Sequence, residues 1–210
     1  VLRIYGFQTF NLGKVLLSAE EMSLDYEFVE LNPMKGELSS EENLQRHPLG
    51  KMPSIDWDGF LLFESNVICQ YMAEKTGKLY GKDAQERAII RQWIDFMGYH
   101  VGRHLGLHWF EKEVRPKYFD TPADTKAIEE SLGFLEKQLP VLENHLKESE
   151  FFANQLSIAD TIAFNYFHVH EVSGFPLHDF KAIHGWYERM KKRPSYKAAT
   201  NHFSNGLLTL

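Results

Sequence analysis

The chain has 210 residues, enough for one or two domains with a sizeable core. Hydrophobic residues make up 43% and charged residues 25%, ordinary for a globular protein, and a net charge of −6 argues against a broad nucleic-acid surface. No apolar run is long enough to span a bilayer, the first residues from Val1 to Tyr5 lack the shape of a secretion signal, and a lone cysteine, Cys69, excludes an internal disulfide framework, all of which fits a cytoplasmic protein.

Leu2-Arg3-Ile4-Tyr5 alternates as a strand does. Gly6 to Leu12 is expected as a loop and Gly13 to Glu21 as a helix, on which Lys14 should be solvated. Tyr26 to Leu31 alternates clearly and predicts a second strand, broken by Asn32-Pro33-Met34-Lys35-Gly36. Ser40-Glu41-Glu42 ahead of Leu44 opens a short helix. The stretch from Gly50 to Ser65 is the most informative. Pro53 stands at a strand entrance, where a missing N–H is tolerated. Asp58-Gly59 is a hairpin signal, because both residues accept positive φ. Leu61, Leu62 and Phe63 predict a buried strand, and Ser65 a cap for a helix from Asn66 to Thr76 that Gly77 stops. Cys69 on that helix is expected in the core.

After Tyr80-Gly81-Lys82 the pattern becomes helical only. Helices are expected from Ala84 to Glu113, ended by Pro116; from Thr125 to Lys147, kinked or divided at Pro140; from Ser157 to Val172; and from Asp179 to Lys192, with a short piece after Pro194. Ser157-Ile158-Ala159-Asp160 is a capping box with Asp in place of Glu. His100, His104 and His108 recur at i, i+4, i+8 on one expected helix face. No carboxylate completes a motif such as HExxH, so no metal is expected there.

A helix start offers unpaired N–H groups and a positive dipole end, which suit a carboxylate. A proline at a strand entrance can be cis and leave the preceding backbone, here Met52, open to an extended peptide. Met52-Pro53, the hairpin and Glu64-Ser65-Asn66-Val67-Ile68 resemble the glutathione-binding half of the cytosolic glutathione transferases. The Thr9-x-Asn11-x-x-Lys14-Val15 pattern is similar to the Ser/Thr-x-Asn loop of phi-, theta- or nu-like bacterial members.

The resemblance implies an α/β N-terminal thioredoxin-like domain over residues 1–78, a linker at 79–85 and an all-α C-terminal helical bundle over 86–210. It implies a glutathione transferase, a cytoplasmic homodimer with glutathione as co-substrate and no metal, nucleic-acid or membrane partner. Met52 would pair with the cysteinyl backbone, Pro53 would be cis, and Glu64 and Ser65 would hold the γ-glutamyl end. Thr9 would donate its hydroxyl to the sulfur, with Asn11 as second donor, although either residue type also suits a helix cap. Lys51 and Lys35 are candidates for the glycine carboxylate. Phe7, Phe10, His100, Arg103, His104, Leu107 and His108 are candidates for the pocket of an electrophile or peroxide. A non-catalytic binding module of the same fold is the alternative.

Overall fold

The computed structural model describes residues 1–206, and the chain divides into two compact units. The first contains residues 1–80 and 193–206, the second residues 81–192. The last stretch, expected in the helical domain, therefore belongs with the first unit.

In the first unit the order is β1 (Leu2–Gly6), α1 (Phe10–Glu21), β2 (Tyr26–Glu30), α2 (Glu41–Arg46), β3 (Ser54–Trp57), β4 (Phe60–Phe63) and α3 (Ser65–Thr76), with α11 (Pro194–Thr200) added from the far end of the chain. The strands form one sheet in the order β2-β1-β3-β4. β1 and β2 are parallel, because α1 supplies the crossover that parallel neighbours require. β3 and β4 are antiparallel to their neighbours, joined at Asp58-Gly59, where both residues have positive φ as the hairpin requires. This is the thioredoxin-like arrangement. Ile4 faces Phe28 on one side and Ile55 on the other, and α1 buries Leu12, Val15, Leu16 and Leu17. Each such side chain contributes about 1.5–3 kcal/mol on burial.

Three expectations about this unit change. α1 begins at Phe10, not Gly13, because Thr9 caps it. Leu61 and Phe63 are exposed and Leu62 only half-buried, where a buried strand is expected: β4 is an edge strand, paired with β3 alone. Ser65 does not cap α3; it is the first helical residue, and Glu64 holds the cap position without a side-chain bond. Gly77 does end that helix in the left-handed conformation, and Cys69 is fully buried. The stretch 193–206 is anchored by an ion pair from Arg193 to Glu21 at the end of α1 and by His202 against Tyr26 and Phe28.

The second unit is all helical. One continuous run contains α4 (Ala84–Phe96), α5 (Arg103–Trp109) and α6 (Arg115–Tyr118), linked by π-helical turns at Met97–Gly102 and Phe110–Val114. Pro116 does not end this run. It lies in the first turn of α6, where its missing N–H is tolerated. α7 (Thr125–Glu148) runs through Pro140 undivided. α8 (Ile158–His168) is buried along its whole length, and α9 (His170–Ser173) and α10 (Lys181–Lys191) follow. The capping box at Ser157 and Asp160 is present. The Asp160 carboxylate also accepts from the Phe152 N–H and the Trp186 Nε1–H, each at 3.1 Å. It therefore ties the start of α8 to α10. Among the described residues, no helix is long and apolar enough to cross a membrane.

Candidate functional site

The site starts at the end of β1. The sheet sets the chain direction at Gly6, and Thr9 then caps α1, its Oγ1 accepting from the Leu12 N–H at 3.3 Å. The same hydroxyl lies 3.7 Å from Met52 Sδ. Thr9 and Met52, 43 residues apart, thus meet at one corner. The Met52-Pro53 peptide is cis, and Met52 lies just ahead of Ser54, where the β3 ladder begins. Gly6 leaves room for this: a Cβ there would stand 3.1 Å from Leu12 and 3.4 Å from Met52 Sδ.

A second cluster lies between α1 and α3. Lys14 Nζ donates to Asn11 Oδ1 at 2.8 Å and reaches Ser65 Oγ at 3.5 Å, and Ser65 Oγ is 3.5 Å from Asn11 Oδ1. A lysine ammonium only donates, so the Asn11 atom facing it is the carbonyl oxygen. Asn11 therefore presents its two N–H donors on the other arm of the amide. Lys14, expected to be solvated, is 1% exposed. Its side chain points back toward the helix start, as helical side chains do, and there meets α3 instead of water. Burial lowers its pKa to about 7, against the pull of Cys69 and Glu64 toward the charged form.

Glu64 has a φ of 71°, a left-handed conformation that costs a non-glycine residue roughly 1–3 kcal/mol. That turn re-aims the chain so that the first-turn N–H groups of α3 have no side-chain cap. They form the kind of positive end that takes a carboxylate. His47 is 4% exposed and packs on Phe63 at 4.7 Å. Burial lowers its pKa, with Lys51 adding to the effect and Glu64 opposing it. Lys51 is exposed on its loop and Lys35 at the end of the short 3-10 turn Pro33–Lys35, and Phe7 and Phe10 are half-buried, Phe7 ahead of α1 and Phe10 its first residue. Burial pushes the Cys69 thiol up to about 11, which leaves it inert.

In the helical unit the three histidines differ in burial: His100 is exposed, His104 half-buried and His108 only 3% exposed, with His104 and His108 one turn apart on α5 and His100 close enough to act on His104. His104 stacks on Phe134 at 4.5 Å and His108 meets Phe175 edge-on at 5.8 Å. Burial lowers the pKa of both. Arg103 is exposed and Leu107 half-buried. Among the described residues no group of three or more His, Cys, Asp or Glu could hold a metal.

The burial of Lys14 has a signal in the sequence: it stands between Gly13 and Val15-Leu16-Leu17, on the turn of α1 that is buried all round.

The family description "Glutathione S-transferase, N-terminal domain" matches residues 1–74, and "Glutathione S-transferase, C-terminal domain" matches residues 108–194. The chain is 31% identical over 163 residues to a probable glutathione S-transferase GSTF2 of Oryza sativa subsp. japonica, covering 76% of each. Among solved structures it is similar to glutathione transferase F2 of Populus trichocarpa, with a TM-score of 0.89, 25% identity, and 96% and 98% of the two chains covered. It is likewise similar to a glutathione S-transferase-I bound with lactoylglutathione, with a TM-score of 0.87, 26% identity, and 96% and 99% covered.

Proposed function

Because this chain belongs to the glutathione S-transferase family, we propose that its first unit binds glutathione along Met52 and the start of α3 and holds the sulfur as a thiolate beside Thr9. The protein is a glutathione transferase with glutathione as co-substrate. The finer assignment, a phi-, theta- or nu-like type, is supported by the Thr9-x-Asn11 loop.

What carries the reading is the meeting of Thr9 with Met52, 3.7 Å apart, beside the Asn11–Lys14–Ser65 network. Met52 offers its backbone to the extended tripeptide. The open start of α3, with Ser65, receives the γ-glutamyl carboxylate. Lys51 and Lys35 are the cations assigned to the glycine carboxylate. A free thiol has a pKa near ~8.5. A hydrogen bond to a charged acceptor is worth roughly 1.5–3 kcal/mol, or about one to two pKa units, so one donor from Thr9 or Asn11 brings the thiol close to neutrality. The thiol proton leaves to solvent, and the thiolate attacks an electrophilic carbon: a C–S bond forms and the leaving group departs with its electron pair. Within the first unit, contact with the electrophile is assigned to Phe7 and Phe10. His104 and His108 are engaged by Phe134 and Phe175. A cytoplasmic homodimer completes the reading. The exposed apolar side chains of Phe60, Leu61, Phe63 and Val67, between 38% and 49% exposed, support a partner copy.

The test is conjugation of a chlorinated dinitrobenzene by Thr9→Val, Asn11→Ala and the double variant between about pH 6 and 9. The donor variant should lose roughly 10–100-fold near neutral pH and recover as the thiol ionises unaided. Three variants at the wild-type rate would overturn the donor assignment. One observation favours a second reading, a non-catalytic binding module: the Thr9 hydroxyl already has structural work in its bond to the Leu12 N–H. Calorimetric binding of glutathione without turnover of several electrophiles would establish that reading.

A further inference from the structure

Lys14 is a long cationic side chain at 1% exposure, on the face of α1 that packs against α3. An ammonium in such a place loses its hydration, and a packed core gains nothing from it that a methionine would not supply. It is nevertheless arranged with direction. Nζ lies 2.8 Å from Asn11 Oδ1 and 3.5 Å from Ser65 Oγ, and so joins the second residue of α1 to the first residue of α3. We propose that Lys14 is a positioning residue of the glutathione site: its ammonium fixes the Asn11 amide with its N–H donors turned to the thiolate, and it takes up a proton when the anionic tripeptide binds. This inference rests on the glutathione reading above.

The physical argument is linkage. Burial holds the Lys14 pKa down to about 7, so near neutral pH only part of the molecules carry the charge. The titratable groups that face it from α3 are Glu64 and Cys69; Glu64 favours the ammonium, while the Cys69 thiol, raised to about 11, is neutral at this pH. On the other neighbours of α1, Arg193 beside α11 pairs with Glu21 at the far end of the helix, and Arg3 of β1 pairs with Glu27. A γ-glutamyl carboxylate arriving at Ser65 adds a negative charge close to Nζ and raises its affinity for a proton. Affinity then falls as pH rises above 7, because the ligand no longer finds the cation in place.

The experiment uses S-methylglutathione, which has no thiol proton to confuse the count, and isothermal calorimetry in buffers of different ionisation enthalpy. Wild type should take up about half a proton on binding at pH 7, and its affinity should weaken about fivefold from pH 7 to pH 8. Lys14→Met should take up none. Lys14→Arg, whose guanidinium is always charged, should also take up none yet keep its affinity at pH 8. Uptake by Lys14→Met equal to wild type would assign the proton elsewhere, with His47 beside Glu64 the next group, and would overturn the inference. If Lys14→Met does not fold, the comparison of wild type with Lys14→Arg decides: equal uptake overturns the inference and uptake by wild type alone supports it. Binding to wild type without uptake overturns the role of Lys14 and leaves the glutathione site standing. Failure of S-methylglutathione to bind wild type overturns the site itself.

Discussion

Gly102→Ala is expected to destabilise the protein, against the usual rule for helices. Alanine in place of an interior helical glycine gains roughly 1 kcal/mol. Gly102, however, closes the π-turn Met97–Gly102, and α8 passes directly over it. A Cβ built there would stand 2.3, 2.4 and 2.6 Å from three ring carbons of Tyr166. Carbon atoms pack at about 3.5–4.0 Å, so the ring would have to retreat by more than about 1 Å. Tyr166 is 9% exposed and has little room to do so. Overpacking of this kind costs about 1–3 kcal/mol, and three simultaneous clashes belong at the upper end. Subtracting the propensity gain leaves a net loss of about 2 kcal/mol, or roughly 5–10 °C in Tm for a unit of this size. Gly133→Ala is the internal control. Gly133 lies inside α7 and a Cβ there meets nothing within 4 Å, so that variant should be as stable as wild type or slightly more so. Thermal unfolding followed by circular dichroism measures both. If Gly102→Ala melts at or above the wild-type temperature, or if Gly133→Ala falls with it, the packing argument is wrong.

Two further outcomes are expected. Thr9→Asp should keep the cap on α1, because aspartate is as good a cap as threonine, yet it places an anion beside the sulfur. At a separation of about 4 Å and an effective dielectric near 20 that repulsion is about 4 kcal/mol, so conjugation near neutral pH should fall by 100-fold or more while Tm is unchanged; retained activity would exclude Thr9 from contact with the thiolate. His168 is buried with Nδ1 2.7 Å from the Tyr187 hydroxyl, and burial lowers its pKa to about 4. Its folded value lies below the unfolded one of ~6.5, so its contribution is intact above that pH and is lost as pH falls toward 4, by about 3 kcal/mol. Asp160, raised by burial to about 6, works in the opposite direction in the same window. The difference between wild type and His168→Gln in urea unfolding at about pH 7 and 4.5 isolates the histidine, and a constant difference would refute its titration.

Much of the fold is local, which is why it could be read ahead of the structure. Asp58-Gly59 and Gly77 are legible because positive φ is a property of the single residue, and Ser157 with Asp160 because a capping box spans four residues. The failures share one cause: they concern what lies opposite an element. Leu61, Leu62 and Phe63 look like core, but exposure depends on whether a strand has neighbours on both sides. The cap of α10 is another case. Phe180 makes no side-chain bond, and Glu143 of α7 supplies the acceptor for the Ala182 and Ile183 N–H groups at 3.0 Å.

The site divides in the same way. The amino-acid sequence by itself determined which residue types are present and where the sharp turns fall: Pro53 before β3, Gly59 in the hairpin, Gly77 after α3. These follow from dihedral preferences and hydrogen bonds within a few residues. Only the tertiary structure decided that Thr9 reaches Met52, that Ser65 turns from capping to the Asn11–Lys14 network, and that Lys14 lies out of water. Packing α1 against α3 sets those distances and removes the solvent, and burial by a partner distant in sequence leaves no trace in the residue's own neighbourhood.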